Sequence, residues 1–457
     1  MLGVRATKFC PTHLPGLPIR LLLAWLARSA APLPIPVRCL SKVAIVSLSA
    51  PHDFLAGRRD QLTERVLVHG RAESATPSYL NEQRYSVLSA AHNPEPCRYG
   101  LCRYVYLLMP GNRAATFPCQ LLGWDVDAVN TVQFSNHTGY GRWGGLRFDA
   151  AHLADVFSNM DRNKLLRHNR LLTGYTPSPE ALGEVEKLIR AQREKNPHMV
   201  YLLDPVMGDM DRGMYVNPDV LPIYRRMLHL ASIICPNQFE AQVLSGIEIR
   251  SIETLKAALT KLHVEYQVPH VLITSLELSK DDLNAIGAMP SMPDGKPAML
   301  LVGSTWNADT KELQPWFLQF PSLGEYFSGV GDLFSALTVA RFMEHEEDVP
   351  VPARAAYDGY GAPVEGECTL PIARAVTLAV ASLQQVLIRT ARAMEILGEQ
   401  EGLDPLQPSH LASEEDRVKI MRMRELRIIQ SADDILRPQV LYRPRWTAPL
   451  ASTASST

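Results

Sequence analysis

From Gly111 onward, short apolar runs alternate with stretches that carry polar and apolar residues at helical spacing, and this rhythm restricts the possible folds more than any other feature of the chain. The apolar runs are Val126 to Val132, Met199 to Leu203, Ser232 to Cys235, Val271 to Thr274, Met299 to Val302 and Trp316 to Phe320. Helical spacing falls between them over Glu180 to Gln192, Ser251 to Leu262 and Ile372 to Met394. Strands alternating with helices build βαβ units, so a mainly parallel sheet with helices on its faces, an α/β sandwich, is expected.

The chain has 457 residues, 46% of them hydrophobic, enough for one large core with appendages. Three regions are expected: 1–110, poorly patterned and partly disordered; 111–400, the α/β domain; and 401–457, a charged helix over Glu414 to Ile429 on the periphery, followed by a disordered Ser/Thr-rich tail. With 46 basic and 48 acidic residues the net charge is -2, so no global field points to nucleic acid or an anionic membrane. Seven cysteines without a CxxC pair read as reduced thiols. No apolar run reaches the roughly 18 residues a membrane helix needs, and a soluble, cytoplasmic protein is expected. The stretch before Asp53 contains no acidic residue and loosely imitates a transit peptide, but Pro11, Pro15, Pro18, Pro32, Pro34 and Pro36 would interrupt its helix.

Four segments could carry chemistry. In Gly329-Val330-Gly331-Asp332-Leu333-Phe334 two glycines open a helix of small residues after a strand and a turn. The unpaired main-chain N–H groups of such a helix start, with the positive end of its dipole, form a cradle for phosphate. Asp332 beside them can cap the helix, or it can take the proton of an attacking alcohol. In Leu203-Asp204-Pro205-Val206-Met207-Gly208-Asp209 a buried strand ends in a loop, where ligands of open α/β sheets bind. Asp204 and Asp209 there are either turn residues or carboxylates for a hydrated Mg²⁺. Cys235-Pro236-Asn237-Gln238-Phe239-Glu240 is either a capping arrangement or a phosphate-side amide and carboxylate. Val129 to Tyr140, which includes Gln133-Phe134-Ser135-Asn136-His137-Thr138-Gly139-Tyr140, crowds short hydrogen-bonding side chains at a strand end and could frame a polar heteroaromatic ring.

Taken in order, these segments resemble the pyridoxal kinases, the vitamin B6 branch of the ribokinase-like superfamily. The likeness also includes Gly111 to Pro118, Leu172-Thr173-Gly174-Tyr175, Met214-Tyr215-Val216 and Ile273-Thr274-Ser275, and runs to about Arg392. It implies a three-layer α/β/α sandwich and ATP-dependent phosphorylation of the 5′-hydroxymethyl group of pyridoxal, pyridoxine or pyridoxamine. It implies that Asp332 is the base and that the amides of Gly329, Val330 and Gly331 form the anion hole. Val132, Phe134, His137, Thr138 and Tyr175 would line the vitamin pocket. Asp204, Asp209, Tyr215, Asn237, Glu240, Thr274 and Ser275 would serve ATP, with Asp204 and Glu240 towards Mg²⁺, and Asp211 to Val216 would be a flap over the reacting groups. A homodimer and a monovalent cation such as K⁺ are further implications.

The chain departs from the family pattern at three places. Cys235 stands where the family has Thr, which would weaken cation binding, and Val330 replaces a small or hydroxylated residue. The family's first strand and Ser-His loop have a partial counterpart in Arg65 to Gly70, which makes Arg71 to Pro110 an expected insertion. The alternative readings are a hydroxymethylpyrimidine kinase and a catalytically weak vitamin-binding homologue.

Overall fold

The computed structural model describes residues 86–90, 111–324, 327–343, 363–408, 411–447 and 450. By its contacts the chain divides into Met1–Ser78, outside the described residues, and Tyr79–Thr457, which holds all that follows. In chain order the strands are β1 (Ser86–Ala90), β2 (Asp125–Val129), β3 (Val132–Phe134), β4 (Gly145–Arg147), β5 (Arg170–Thr173), β6 (Val200–Leu203), β7 (Gly208–Asp209) and β8 (Gly213–Met214). They continue with β9 (Ile233–Ile234), β10 (His270–Leu276), β11 (Ala298–Asn307), β12 (Glu312–Pro321) and β13 (Arg445–Trp446). Nine of them form one sheet in the order β13-β12-β11-β10-β9-β6-β5-β1-β2, while β3 pairs with β4 and β7 with β8. From β2 to β10 every neighbouring pair in that sheet is parallel; β10, β11, β12 and β13 run antiparallel.

The central parallel strands β5, β6 and β9 are buried at every residue, as helices covering both faces of a sheet require. All four residues of β6, Val-Tyr-Leu-Leu, are buried. Successive residues serve opposite cores: Leu172, Leu202, Ile233 and Leu272 join one apolar cluster, and Leu171, Tyr201, Leu203, Ile234 and Val271 join the other. The second cluster is closed by helices Pro179–Lys195 and Ile252–Val264. Their starts follow from sequence: Ser178 accepts from the Ala181 N–H at 3.2 Å ahead of Pro179, and Ser251 with Thr254 forms a capping box. Helices Val330–Arg341 and Pro371–Glu401 fill the first cluster, with every residue from Asp332 to Arg341 buried.

Pro371–Glu401 is long and apolar enough to cross a membrane, although its charged residues break the apolar run; 78% of its most apolar stretch, however, is buried within the fold. It is a core helix. Two further differences from the sequence reading concern the ends. The strand between β2 and β5 is Ser86–Ala90, inside the stretch read as an insertion, whereas Arg65 to Gly70 lies outside the described residues. Five residues of a parallel strand are too short to display a period, so Ser86–Ala90 was not visible as a strand. The expectation of a peripheral charged helix also changes. Helix Glu414–Met423 buries Ile420, Met421 and Met423, and the chain beyond it adds β13 to the sheet edge. Apart from Ser86–Ala90, the expectations for 1–110, and that for the tail 451–457, fall outside the described residues.

Candidate active site

The ends of β6, β9 and β10 open into a cleft of about 820 Å³. Asp204, Asn237, Glu240, Thr274 and Ser275 line it from the strand side, Tyr215 from beside the β7–β8 hairpin, and Gly329, Val330, Gly331 and Asp332 from the helix start. At that start Gly329 takes φ 88°, a left-handed conformation that glycine adopts without penalty, and it turns the chain directly into helix Val330–Arg341. Asp332 in the first turn is 8% exposed, while Gly331 presents an open main chain to the cleft. First-turn amides have no acceptor within their own helix, so they point at whatever occupies the cleft.

Two carboxylates converge on this turn. A methyl group added to Gly331 would lie 4.0 Å from Asp204 Oδ2, and one added to Gly174, at the end of β5, would lie 3.8 Å from Asp332 Oδ1. Ser335, one helical turn further on, donates its hydroxyl to Asp204 Oδ2 at 3.1 Å. A hydroxyl thus lies beside Asp204, from Ser335 and not from position 235, where the resemblance led to the expectation of a Thr. Burial pushes the Cys235 thiol well above its usual range, with the nearby Asp204 adding to the shift, which disfavours the thiolate.

Asn237 and Glu240 prove to be both capping residues and cleft residues. Asn237 Oδ1 accepts from the Glu240 N–H at 2.9 Å and Glu240 Oε2 from the Asn237 N–H at 3.0 Å, a capping box. Glu240 Oε1 also accepts from the Met207 N–H at 2.9 Å, and Asn237 Nδ2 donates to the Gly208 carbonyl at 2.7 Å. These bonds fix the 207–208 loop to the helix start. Burial raises the Glu240 carboxyl to about 7, and the amides that donate to it only partly offset that rise. Asp209 is not among the lining residues; its carboxylate accepts from the Arg212 N–H at 2.7 Å and closes the hairpin turn.

The residues expected around a heteroaromatic ring sit apart from this cleft lining. Val132, Phe134 and His137 are buried, Thr138 is exposed and Tyr175 half-buried. Phe134 packs on Trp143 with centroids 4.3 Å apart, and His137 Nδ1 accepts from the Gly139 N–H at 3.0 Å. The Thr131 hydroxyl donates to the Tyr175 carbonyl at 2.9 Å. Since Tyr175 follows Gly174, this bond joins the segment to the strand end that abuts Asp332. Sequence reasoning did not pick out an apolar wall of the cleft made by Met299, Leu301, Phe320, Leu323, Leu383 and Leu387. It had no local signal, because core residues of two strands and the long helix supply it.

Comparison with known proteins places these features in a family. The family model for phosphomethylpyrimidine kinase matches residues 173–289. That stretch contains Asp204, Asn237, Glu240, Thr274 and Ser275 and stops short of both the Val129–Tyr140 block and the Gly329 turn. The pyridoxal kinase of Sus scrofa is 35% identical over 342 residues, covering 73% of this chain and 90% of that protein. The human pyridoxal kinase is 37% identical over 246 residues, covering 53% of this chain and 75% of that protein. A solved structure of the Leishmania donovani pyridoxal kinase with ADP and pyridoxine superposes with a TM-score of 0.58 at 25% identity, over 79% of this chain and 98% of that one. With a mainly parallel sheet, a glycine turn that brings Asp332 to the strand-end cleft, and relatives matched over nine-tenths of their length, the chain belongs to the pyridoxal kinase family.

Proposed function

We propose that the chain transfers the terminal phosphoryl group of ATP to the 5′-hydroxymethyl group of a B6 vitamer, pyridoxal, pyridoxine or pyridoxamine. The observation that carries this reading is the meeting of Asp332 and Asp204 at a glycine-opened helix start inside one cleft. Asp332 accepts the proton of the vitamer's hydroxyl as the oxygen attacks the terminal phosphorus and the bond from that phosphorus to the bridging oxygen breaks, releasing ADP. The N–H groups of Val330 and Gly331 and the helix dipole stabilise the charge on the transferring oxygens. The apolar wall from Leu323, Phe320 and Leu387 suits the flat, weakly polar base of a nucleotide. Phe134, His137, Thr138, Val132 and Tyr175 are proposed to hold the vitamer, on the Gly174 side of Asp332.

Mg²⁺ belongs to the proposal. Among the described residues no group of three His, Cys, Asp or Glu side chains is arranged to enclose a metal. The residues present fit an ion that takes most of its ligands from phosphate oxygens and water, and Asp204 and Glu240, both in the cleft lining, would hold its water shell. When bound, it would neutralise phosphate charge. A K⁺ ion, a homodimer and a cytoplasmic location complete the reading. Exposed Trp143 and Leu146 on the β3–β4 hairpin offer apolar surface for self-association, checked by light scattering.

The test is formation of pyridoxal 5′-phosphate from pyridoxal and Mg-ATP by the purified protein, followed by its absorbance and by chromatography. Turnover that Asp332→Ala abolishes supports the reading; ligand-induced stabilisation without product supports a vitamin-binding homologue instead. The phosphomethylpyrimidine kinase match favours a second reading, a hydroxymethylpyrimidine kinase. Turnover of pyridoxal should exceed that of hydroxymethylpyrimidine, since the match covers only the stretch between the vitamer-side block and the glycine turn; the reverse order would select the second reading.

A further inference from the structure

We infer that Glu425 is a positioning residue for the vitamer, acting through Tyr140. This deepens the proposed function and rests on it. Glu425 is 3% exposed and lies just past helix Glu414–Met423. Its backbone bridges in parallel to Ser328, the residue before Gly329, and its Oε1 accepts the hydroxyl of Tyr140. One buried residue therefore touches both sides of the proposed reaction: the turn that delivers Asp332 and the end of the block expected to hold the vitamer. Its Oε2 has no hydrogen-bond partner among the described residues, so the bond to Tyr140 is the one hydrogen bond this carboxyl makes there.

The rest of the C-terminal segment presses on the same loop. A methyl group added to Gly139 would come within 2.8 Å of Met421 Cε, and one added to Gly141 within 3.2 Å of Arg417 Cδ. Arg142 pairs with Glu414 at the start of the helix. The 138–141 turn, which carries Thr138, is thus clamped from outside by a helix whose exit is anchored beside the catalytic turn. A carboxylate holding a phenol is a strong, directional bond in a buried setting, and it fixes the spacing between Thr138 and Asp332 without touching either. None of these C-terminal residues lies at the ATP cleft.

Steady-state kinetics of the full chain test this, with pyridoxal and Mg-ATP varied separately for wild type, Glu425→Gln, Glu425→Ala, Tyr140→Phe and the Glu425→Ala/Tyr140→Phe pair. Expected is a rise of about tenfold in KM for pyridoxal for Tyr140→Phe and Glu425→Ala, the scale of one lost buried hydrogen bond, with KM for ATP within about twofold of wild type. The double variant should be no worse than the poorer single one, because both remove the same bond. Glu425→Gln, whose amide oxygen still accepts from the phenol, should recover most of the affinity. Tyr140→Phe removes only a hydroxyl and keeps the test valid if Glu425→Ala fails to fold. Unchanged KM for pyridoxal in Tyr140→Phe, parallel rises in both KM values, or multiplying effects in the pair would overturn the assignment while leaving the kinase reading intact. A wild-type protein without turnover would overturn both.

Discussion

A buried carboxyl at a helix start is held by two opposing effects, desolvation and the amides that donate to it, and Glu240 shows which one wins. Burial dominates and raises its carboxyl to about 7. Because the unfolded chain releases that proton near the ordinary value of about 4.5, the folded state binds more protons between the two values. The stability contributed by Glu240 is therefore complete below about 4.5 and lost as the pH rises through about 7. Relative to Glu240→Gln, the wild-type denaturation midpoint should fall between pH 5 and pH 7.5; a rise over that interval would contradict the assignment. The sequence left Asn237 and Glu240 open between cap and phosphate-side pair, and at residue scale the structure makes the alternatives compatible. Asp209 was not separable from Asp204 in the same way. Both follow a buried strand at turn positions, and only the fold shows that one faces the cleft while the other closes a hairpin.

At the scale of elements, the strands legible in the sequence were unbroken apolar runs, such as Val200–Leu203, and the legible helices those long enough to show a period, such as the core helix Pro371–Glu401. Helix Asn112–Leu121 was missed as an element because Pro118 interrupts its pattern, and β1 because it is short and its neighbours are far away in sequence. Sheet register was also beyond the sequence. Gly303 in β11 pairs with Trp316 in β12, and a methyl group there would lie 2.1 Å from the indole ring. Gly303→Ala should therefore destabilise the fold by about 1–3 kcal/mol, the usual cost of overpacking. Urea denaturation checks this, and an unchanged midpoint would show that the ring can yield.

For the whole molecule, the consequence of this architecture is that a single helix start, held in the core by the buried helix Val330–Arg341, is shared by the cleft proposed for the nucleotide and the loop proposed for the vitamer. Ligands for either side stabilise the same fold, so a non-hydrolysable ATP analogue with Mg²⁺ and pyridoxine should each raise the Tm, with the shift growing with concentration. Failure of pyridoxine to shift it at millimolar concentration would contradict binding of the vitamer. The most direct measurement is turnover of pyridoxal by Asp332→Asn against wild type at saturating Mg-ATP, with pyridoxine binding measured in parallel by calorimetry. Loss of about 10²–10⁴-fold in kcat with binding retained is the result expected of a general base; wild-type kcat in the variant would contradict it.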